Sequence, residues 1–272
     1  MRILFRSVLF AAALAAGISA SAGAQETHVG KLTGNEKSGS HEFPRYCDGC
    51  HGARGDGKGT FAPFLDPRPR DYTMGVFKCR STPTGTLPTD EDLYNTMTRG
   101  IVTAAMPSWA SLTPQTRVDI IAYLKHFSPR FRNEKPGTPI TIPEESPVTI
   151  ESIRRGAGLY KKLECVDCHG AKGHGDGPKA PTLYDIKHNL LPPYDFSVTM
   201  RFKCGVTNRD LYRTLMTGMD GSPMVSYADR LTPDETWDVI HYVRTLEVDH
   251  KNPENRVLAA SGEGKVLAPS KP

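Results

Sequence analysis

"YCDGCHGARGDG" (residues 46–57) and "ECVDCHGAKGHGDG" (residues 164–177) decide how this chain reads. Each sets two cysteines three positions apart, follows them at once with histidine, and continues into a loop too rich in glycine for helix. Four of the six cysteines fall in these two units. Laid on each other at an offset of 118 residues, the flanks agree as well. Pro63 falls on Pro181, Leu93-Tyr94 on Leu211-Tyr212, Gly100 on Gly218, and "MPSWA" from Met106 on "MVSYA" from Met224. One further residue of shift aligns "LTPQTRVDIIAYLK" (112–125) with "LTPDETWDVIHYVR" (231–244). So many matches at nearly one offset describe a duplicated domain.

Each copy reads as helices joined by long loops, which makes the fold class all-α, with three to five helices per domain. The last helix opens on Thr113-Pro114 or Thr232-Pro233, an N-cap followed by proline at the first helical position. Glu235, three residues after Thr232, completes a capping box. Val118, Ile121 and Leu124, like Trp237, Ile240 and Val243, form one apolar stripe per helix. A middle helix starts near Thr89 or Thr207 and stops at Gly100 or Gly218, where glycine suits a left-handed C-terminal turn. A first helix leads into each CxxCH, and Pro44 is expected to shorten or kink it in the first copy. No strands are expected.

The N-terminus is different in kind. Arg2 and Arg6 precede an apolar run from Val8 to Ile18, and Ala22-Gly23-Ala24 offers a small-x-small cleavage site. This is the layout of a secretory signal peptide, and the run is shorter than the ~20 apolar residues that span a bilayer. The expected organisation is therefore a signal peptide (1–24), a first domain (25–132), a proline-rich linker (133–149), a second domain (150–249) and a polar tail (250–272), exported to the periplasm. The chain holds 34 basic and 30 acidic residues. With Arg2 and Arg6 set aside the balance is nearly even, and no Lys/Arg block tracks phosphates, so nucleic acid is not an expected partner.

Cys-x-x-Cys-His is the attachment signature of c-type haem: the thiols join the haem vinyl groups as thioethers, and the adjacent imidazole binds iron. Cys47, Cys50 and His51 would hold one haem, and Cys165, Cys168 and His169 a second. Paired CxxC zinc sites lie ~15–20 residues apart, not 118, and a thioredoxin-like site needs a βαβ setting. For the opposite face of each iron the candidates are Met106 and Met224. Each lies 55 residues after its histidine, inside the repeated Met-x-Ser-aromatic-Ala. A thioether opposite imidazole raises the iron potential. Met74, Met97, Met200, Met216 and Met219 read as apolar filler. Met219 is the near rival of Met224 and has no methionine counterpart in the first copy.

In "CDGCHG…FAPFL…AMPSWA" and "CVDCHG…KAPTL…SPMVSYA" each half resembles a class I cytochrome c domain, and the pair resembles a tandem di-haem cytochrome c over residues 38–248. The resemblance implies that Pro63 and Pro181 offer their carbonyls to the proximal imidazoles, and that Trp109 and Tyr227 lie near the haems. Gly-Asp-Gly comes two residues earlier after His51 than after His169, so the two glycine loops need not share one path.

His/Met coordination leaves iron no vacancy, so the expected function is electron shuttling between redox partner proteins, without catalysis. Two further readings stand beside it. One is a non-catalytic haem subunit of a membrane respiratory complex. The other is an enzyme such as a thiosulfate dehydrogenase with a thiolate-ligated haem, motivated by Cys79 in "GVFKCR" and Cys204 in "MRFKCG". These two cysteines admit three fates: iron ligand, interdomain disulfide or buried thiols. Arg70, Lys78, Arg80 and Lys203 are either partners of haem propionates or solvated.

Overall fold

A computed structural model describes residues 25–198 and 202–246. The signal peptide and the polar tail expected from the sequence lie outside the described residues. A short hairpin comes first, β1 (His28–Val29) paired antiparallel with β2 (Leu32–Thr33). It is a departure from the strandless expectation, made possible by Gly30 at φ 57° in its turn. The helices of the first half are α1 (Glu36–Tyr46), α2 (Asp48–His51), α3 (Asp90–Arg99), α4 (Pro114–His126) and α5 (Arg130–Asn133). Those of the second half are α6 (Ile150–Lys162), α7 (Cys165–His169), α8 (Asn208–Thr217) and α9 (Pro233–Leu246).

Caps appear where the sequence places them. Thr89 and Thr207 form reciprocal capping boxes with Asp92 and Asp210. Thr113 caps α4, and at α9 the Glu235 carboxylate accepts from the Thr232 backbone at 2.9 Å. Gly100 and Gly218 end α3 and α8 at φ 73° and 65° with ψ near 180°. That region is essentially closed to side-chain-bearing residues and differs from the left-handed turn expected. Pro44 lies inside α1 without ending it, because the helix runs only two residues beyond.

In each half the first and last helices pack face to face, α1 on α4 and α6 on α9. The crossing point is a glycine. A β-carbon on Gly39 would fall on the carbonyl oxygen of Asp119, and one on Gly156 on that of Asp238. Backbone thus meets backbone, and the apolar stripes close on either side. Phe43, Ile120, Ile121 and Leu124 are buried in one core, Tyr160, Trp237, Ile240 and Val243 in the other.

The stretch 134–149 carries no helix, but its hydrogen bonds tie it to both halves. Gly137 N–H donates to Leu87 and Ile140 N–H to Ser81, while the Ile142 and Glu145 oxygens accept from Arg209 and Asn208.

Gly156→Ala is expected to lower unfolding free energy by about 2 kcal/mol or more, because the backbone contact must open. Gly158→Ala, in the same helix but facing open space, should raise it by roughly 0.5–1 kcal/mol through helix propensity. Denaturant titration of the two variants checks the pair; equal effects would contradict the contact.

Candidate functional site

Each CxxCH occupies the one-turn helix that follows the long first helix, α2 after α1 and α7 after α6. The loops behind them follow the same course. Gly57 N–H donates to the His51 carbonyl at 2.8 Å and Gly175 N–H to that of His169 at 2.9 Å. Gly59 and Gly177 repeat the pattern on Cys50 and Cys168, both at 3.1 Å. Gly52, Gly55 and Gly57 take φ of 78°, 64° and 73°, and Gly170, Gly173 and Gly175 take 77°, 74° and 72°. The two loops therefore share one path, which the displaced Gly-Asp-Gly had left open. Backbone conformation follows glycine spacing, and Gly-x-x-Gly-x-Gly-x-Gly is shared at an offset of 118, whereas the Asp position is not.

The imidazoles are held by partners other than those expected. His51 Nδ1 lies 3.0 Å from the Arg70 carbonyl and His169 Nδ1 3.2 Å from that of Tyr194. Pro63 and Pro181 sit instead in 3₁₀ turns (Ala62–Phe64 and Ala180–Thr182). The reason is a second repeated motif, Pro-x-Asp-aromatic-hydroxyl, at Pro69–Thr73 and Pro193–Ser197. Asp71 accepts from Thr73 N–H at 2.9 Å and Asp195 from Ser197 N–H at 2.8 Å, turning the preceding carbonyl toward the ring. The aromatic residue then stacks on the imidazole, Tyr72 on His51 at 4.5 Å and Phe196 on His169 at 4.4 Å. This motif was legible as a repeat at an offset of 124, hidden by the unequal loop lengths.

A carbonyl only accepts, so Nδ1 carries the proton in both rings and Nε2 keeps its lone pair. In the first copy that lone pair faces the Tyr72 hydroxyl at 3.1 Å. Burial pushes both histidines below their ordinary pKa, against the opposing carbonyl bonds, so each stays neutral, the form that binds metal. Cys47, Cys50, Cys165 and Cys168 form no disulfide. Burial raises Cys47 to about 12 and Cys165 to about 11.

In the second copy these groups open on a cavity of about 580 Å³, lined by Cys165, Cys168, His169, Phe196, Met224 and Tyr227 among others. That volume is in the range of cofactor sites, and its mostly apolar wall suits a porphyrin. Met106 and Met224 occupy equivalent loops: Ile101 N–H donates to the Met106 carbonyl and Met219 N–H to that of Met224, each at 2.9 Å. Trp109 packs on Tyr46, next to Cys47, at 5.5 Å.

Cys79 and Cys204 form a disulfide joining the two halves, with Cα atoms 5.1 Å apart. Neither is free as a thiolate ligand. Beside the bridge, Arg80 is fully buried. It donates to the Thr217 carbonyl at 2.6 Å and pairs with Asp220 at 2.8 Å. Asp220 also accepts from Thr84 and from Gly85 N–H. Arg80 is therefore neither solvated nor a propionate partner but a clamp between halves. Lys78 and Lys203 instead line the cavity. Each is lowered to about 8, first by burial and then by the Arg70 charge.

Residues 34–124 match the family "Cytochrome C oxidase, cbb3-type, subunit III", and residues 153–247 match "Cytochrome c". No curated protein is similar enough to register as a relative. Among solved structures, a chain of the Kuenenia stuttgartiensis reducing HAO-like protein complex Kustc0457/Kustc0458 is 38% identical with a TM-score of 0.77. The alignment covers 79% of the present chain and 97% of that one. No helix among the described residues is long and apolar enough to cross a membrane.

Replacing both bridge cysteines (Cys79→Ser with Cys204→Ser) should leave the visible absorption spectrum unchanged while stability falls by about 2–5 kcal/mol. A spectral change at either haem would place sulfur from this pair on iron.

Proposed function

The chain belongs to the class I cytochrome c family as a tandem di-haem member with two covalently bound haem c groups, and from that premise we propose that it is a periplasmic electron-transfer module serving a separate redox protein. The observation that carries the reading is the pair of neutral imidazoles, each fixed through Nδ1 by a backbone carbonyl; the Nε2 lone pair this leaves is the one that would bind iron, once the Tyr72 hydroxyl that faces it on His51 turns aside. When bound, haem iron supplies a one-electron couple.

The chain's own residues account for the rest. Cys47 and Cys50, with Cys165 and Cys168, anchor the two porphyrins covalently. His51 and His169 would ligate iron, oriented by the Arg70 and Tyr194 carbonyls and by the stacked Tyr72 and Phe196 rings. Met106 and Met224 would be the second ligands of iron, and so would exclude small molecules from it. Lys78 and Lys203, lining the second cavity, are the groups that would pair with propionates, and Arg70 adds positive charge beside them. Such charge favours the reduced iron and holds its potential up. The disulfide, Arg80 and Asp220 clamp the two halves together, which would hold two bound haems at a constant separation.

The relative's place in a two-protein complex supports a docked redox partner. So does a surface difference between the copies. Phe61 and Phe64, beside the first CxxCH, are 59% and 83% exposed, where the second copy has Lys179 and Thr182. An apolar contact of this kind suits a small, transient redox interface.

Carbon monoxide tests the coordination. The reduced wild-type protein should bind none, and Met106→Ala should open one haem. Uptake by the wild type would overturn the carrier reading in favour of catalysis, and thiosulfate-dependent reduction would name the enzyme. Lys203→Met should lower the second haem potential by tens of millivolts, as expected for a charge effect of ~1–2 kcal/mol. An unpaired lysine with a pKa of about 8 loses its charge as pH rises through 8, which would lower the potential. Paired with a propionate it stays charged, so potentiometry should find the potential level between about pH 7 and 9.

A further inference from the structure

The second haem site contains one thioether more than iron coordination needs. Met219 and Met224 both line the cavity that holds His169, Cys165 and Cys168. Their backbones are paired, Met219 N–H to the Met224 carbonyl at 2.9 Å. The first copy makes the same bond between Ile101 and Met106, an antiparallel bridge. Residues directly opposite in an antiparallel pair project their side chains from the same face, with β-carbons about 4.5–5.5 Å apart. In the first copy that face presents one thioether and a branched hydrocarbon. In the second copy the equivalent hydrogen bond joins two methionines, and both side chains line the cavity.

The other described methionines are committed elsewhere. Met216 Sδ accepts from the Thr236 hydroxyl at 3.5 Å, Met97 is buried in the first core, and Met74 stands on the surface. Met219 carries no such commitment, and its side chain is unbranched and flexible enough to reposition its sulfur without moving the backbone. From this juxtaposition we propose that Met219 is a reserve axial ligand of the second haem, able to take the iron when Met224 is lost or displaced. The first haem has no equivalent, because Ile101 offers no lone pair. The two haems then differ in kind: the first opens to small ligands once its single methionine leaves, and the second stays closed.

The inference rests on the His/Met reading above, and its test separates the two. Carbon monoxide uptake by the reduced holoprotein is counted per chain, and the methionine-to-iron charge-transfer band is followed in the oxidised form. The expected uptake is none for wild type, Met224→Ala and Met219→Ile, and one equivalent for Met106→Ala and for the double variant Met219→Ile/Met224→Ala. Met224→Ala should also keep the full charge-transfer band. One equivalent bound by Met224→Ala overturns the reserve role and leaves the His/Met reading intact. No uptake by the double variant also overturns it, because the substitute ligand then comes from elsewhere. Uptake by Met219→Ile alone makes Met219 the primary ligand and overturns the assignment of Met224, while uptake by wild type removes the His/Met reading altogether.

Discussion

Where α1 crosses α4 and α6 crosses α9, glycine lets one helix rest on the carbonyl row of the other. Asp119 and Asp238 supply the oxygen at the two crossings, and nothing larger than hydrogen fits opposite them. This contact sets the distance between the helix that leads into each CxxCH and the helix that closes the core. Phe43 and Ile121 are buried in the core of the first half, Tyr160 and Ile240 in that of the second. The one-turn helix with the cysteines and histidine emerges from that crossing, so the position of each imidazole is inherited from a backbone contact far from any metal chemistry. Gly39 and Gly156 carry no chemical signal of their own, which is why a reading by motif passes over them.

Between the copies the connection is covalent and electrostatic together. Phe-Lys-Cys occurs in both, and the bridge of Cys79 to Cys204 brings the two lysines to one place. Burial first, and then the Arg70 charge, lowers the pKa of both lysines there. The adjacent Arg80, by contrast, is satisfied by Asp220 and three carbonyls. A fold that buries one cation with its full set of partners and leaves two others facing an apolar cavity is arranged for anions that arrive with the cofactor. The disulfide also removes the cysteines from any role on iron, which weakens the enzymatic alternative.

Duplication has kept the scaffold and varied what it presents. The glycine loops, the Asp-capped turns and the stacked aromatics recur with nearly the same hydrogen bonds. Tyr72 becomes Phe196, Phe61 and Phe64 become Lys179 and Thr182, and Ile101 becomes Met219. These changes alter the polarity beside an imidazole, the stickiness of a surface and the methionines that line the second cavity, while the glycine loops keep one backbone path.

The sequence by itself determined the duplication, the helical class and the capped helix starts, and it singled out the CxxCH triplets and the methionine pair as candidates, because all of these are local patterns or spacings between copies. It did not reveal the partners of the imidazoles. The proline carbonyls expected from family resemblance gave way to Arg70 and Tyr194, since a carbonyl's aim depends on how an Asp-capped turn folds against a ring some 20 residues away. Nor could it choose among the fates of Cys79 and Cys204, or tell Arg80 from Lys78, because a disulfide and a buried ion pair depend on how two domains meet. Spacing along a chain is one-dimensional information; which groups leave water together is decided only when the helices pack.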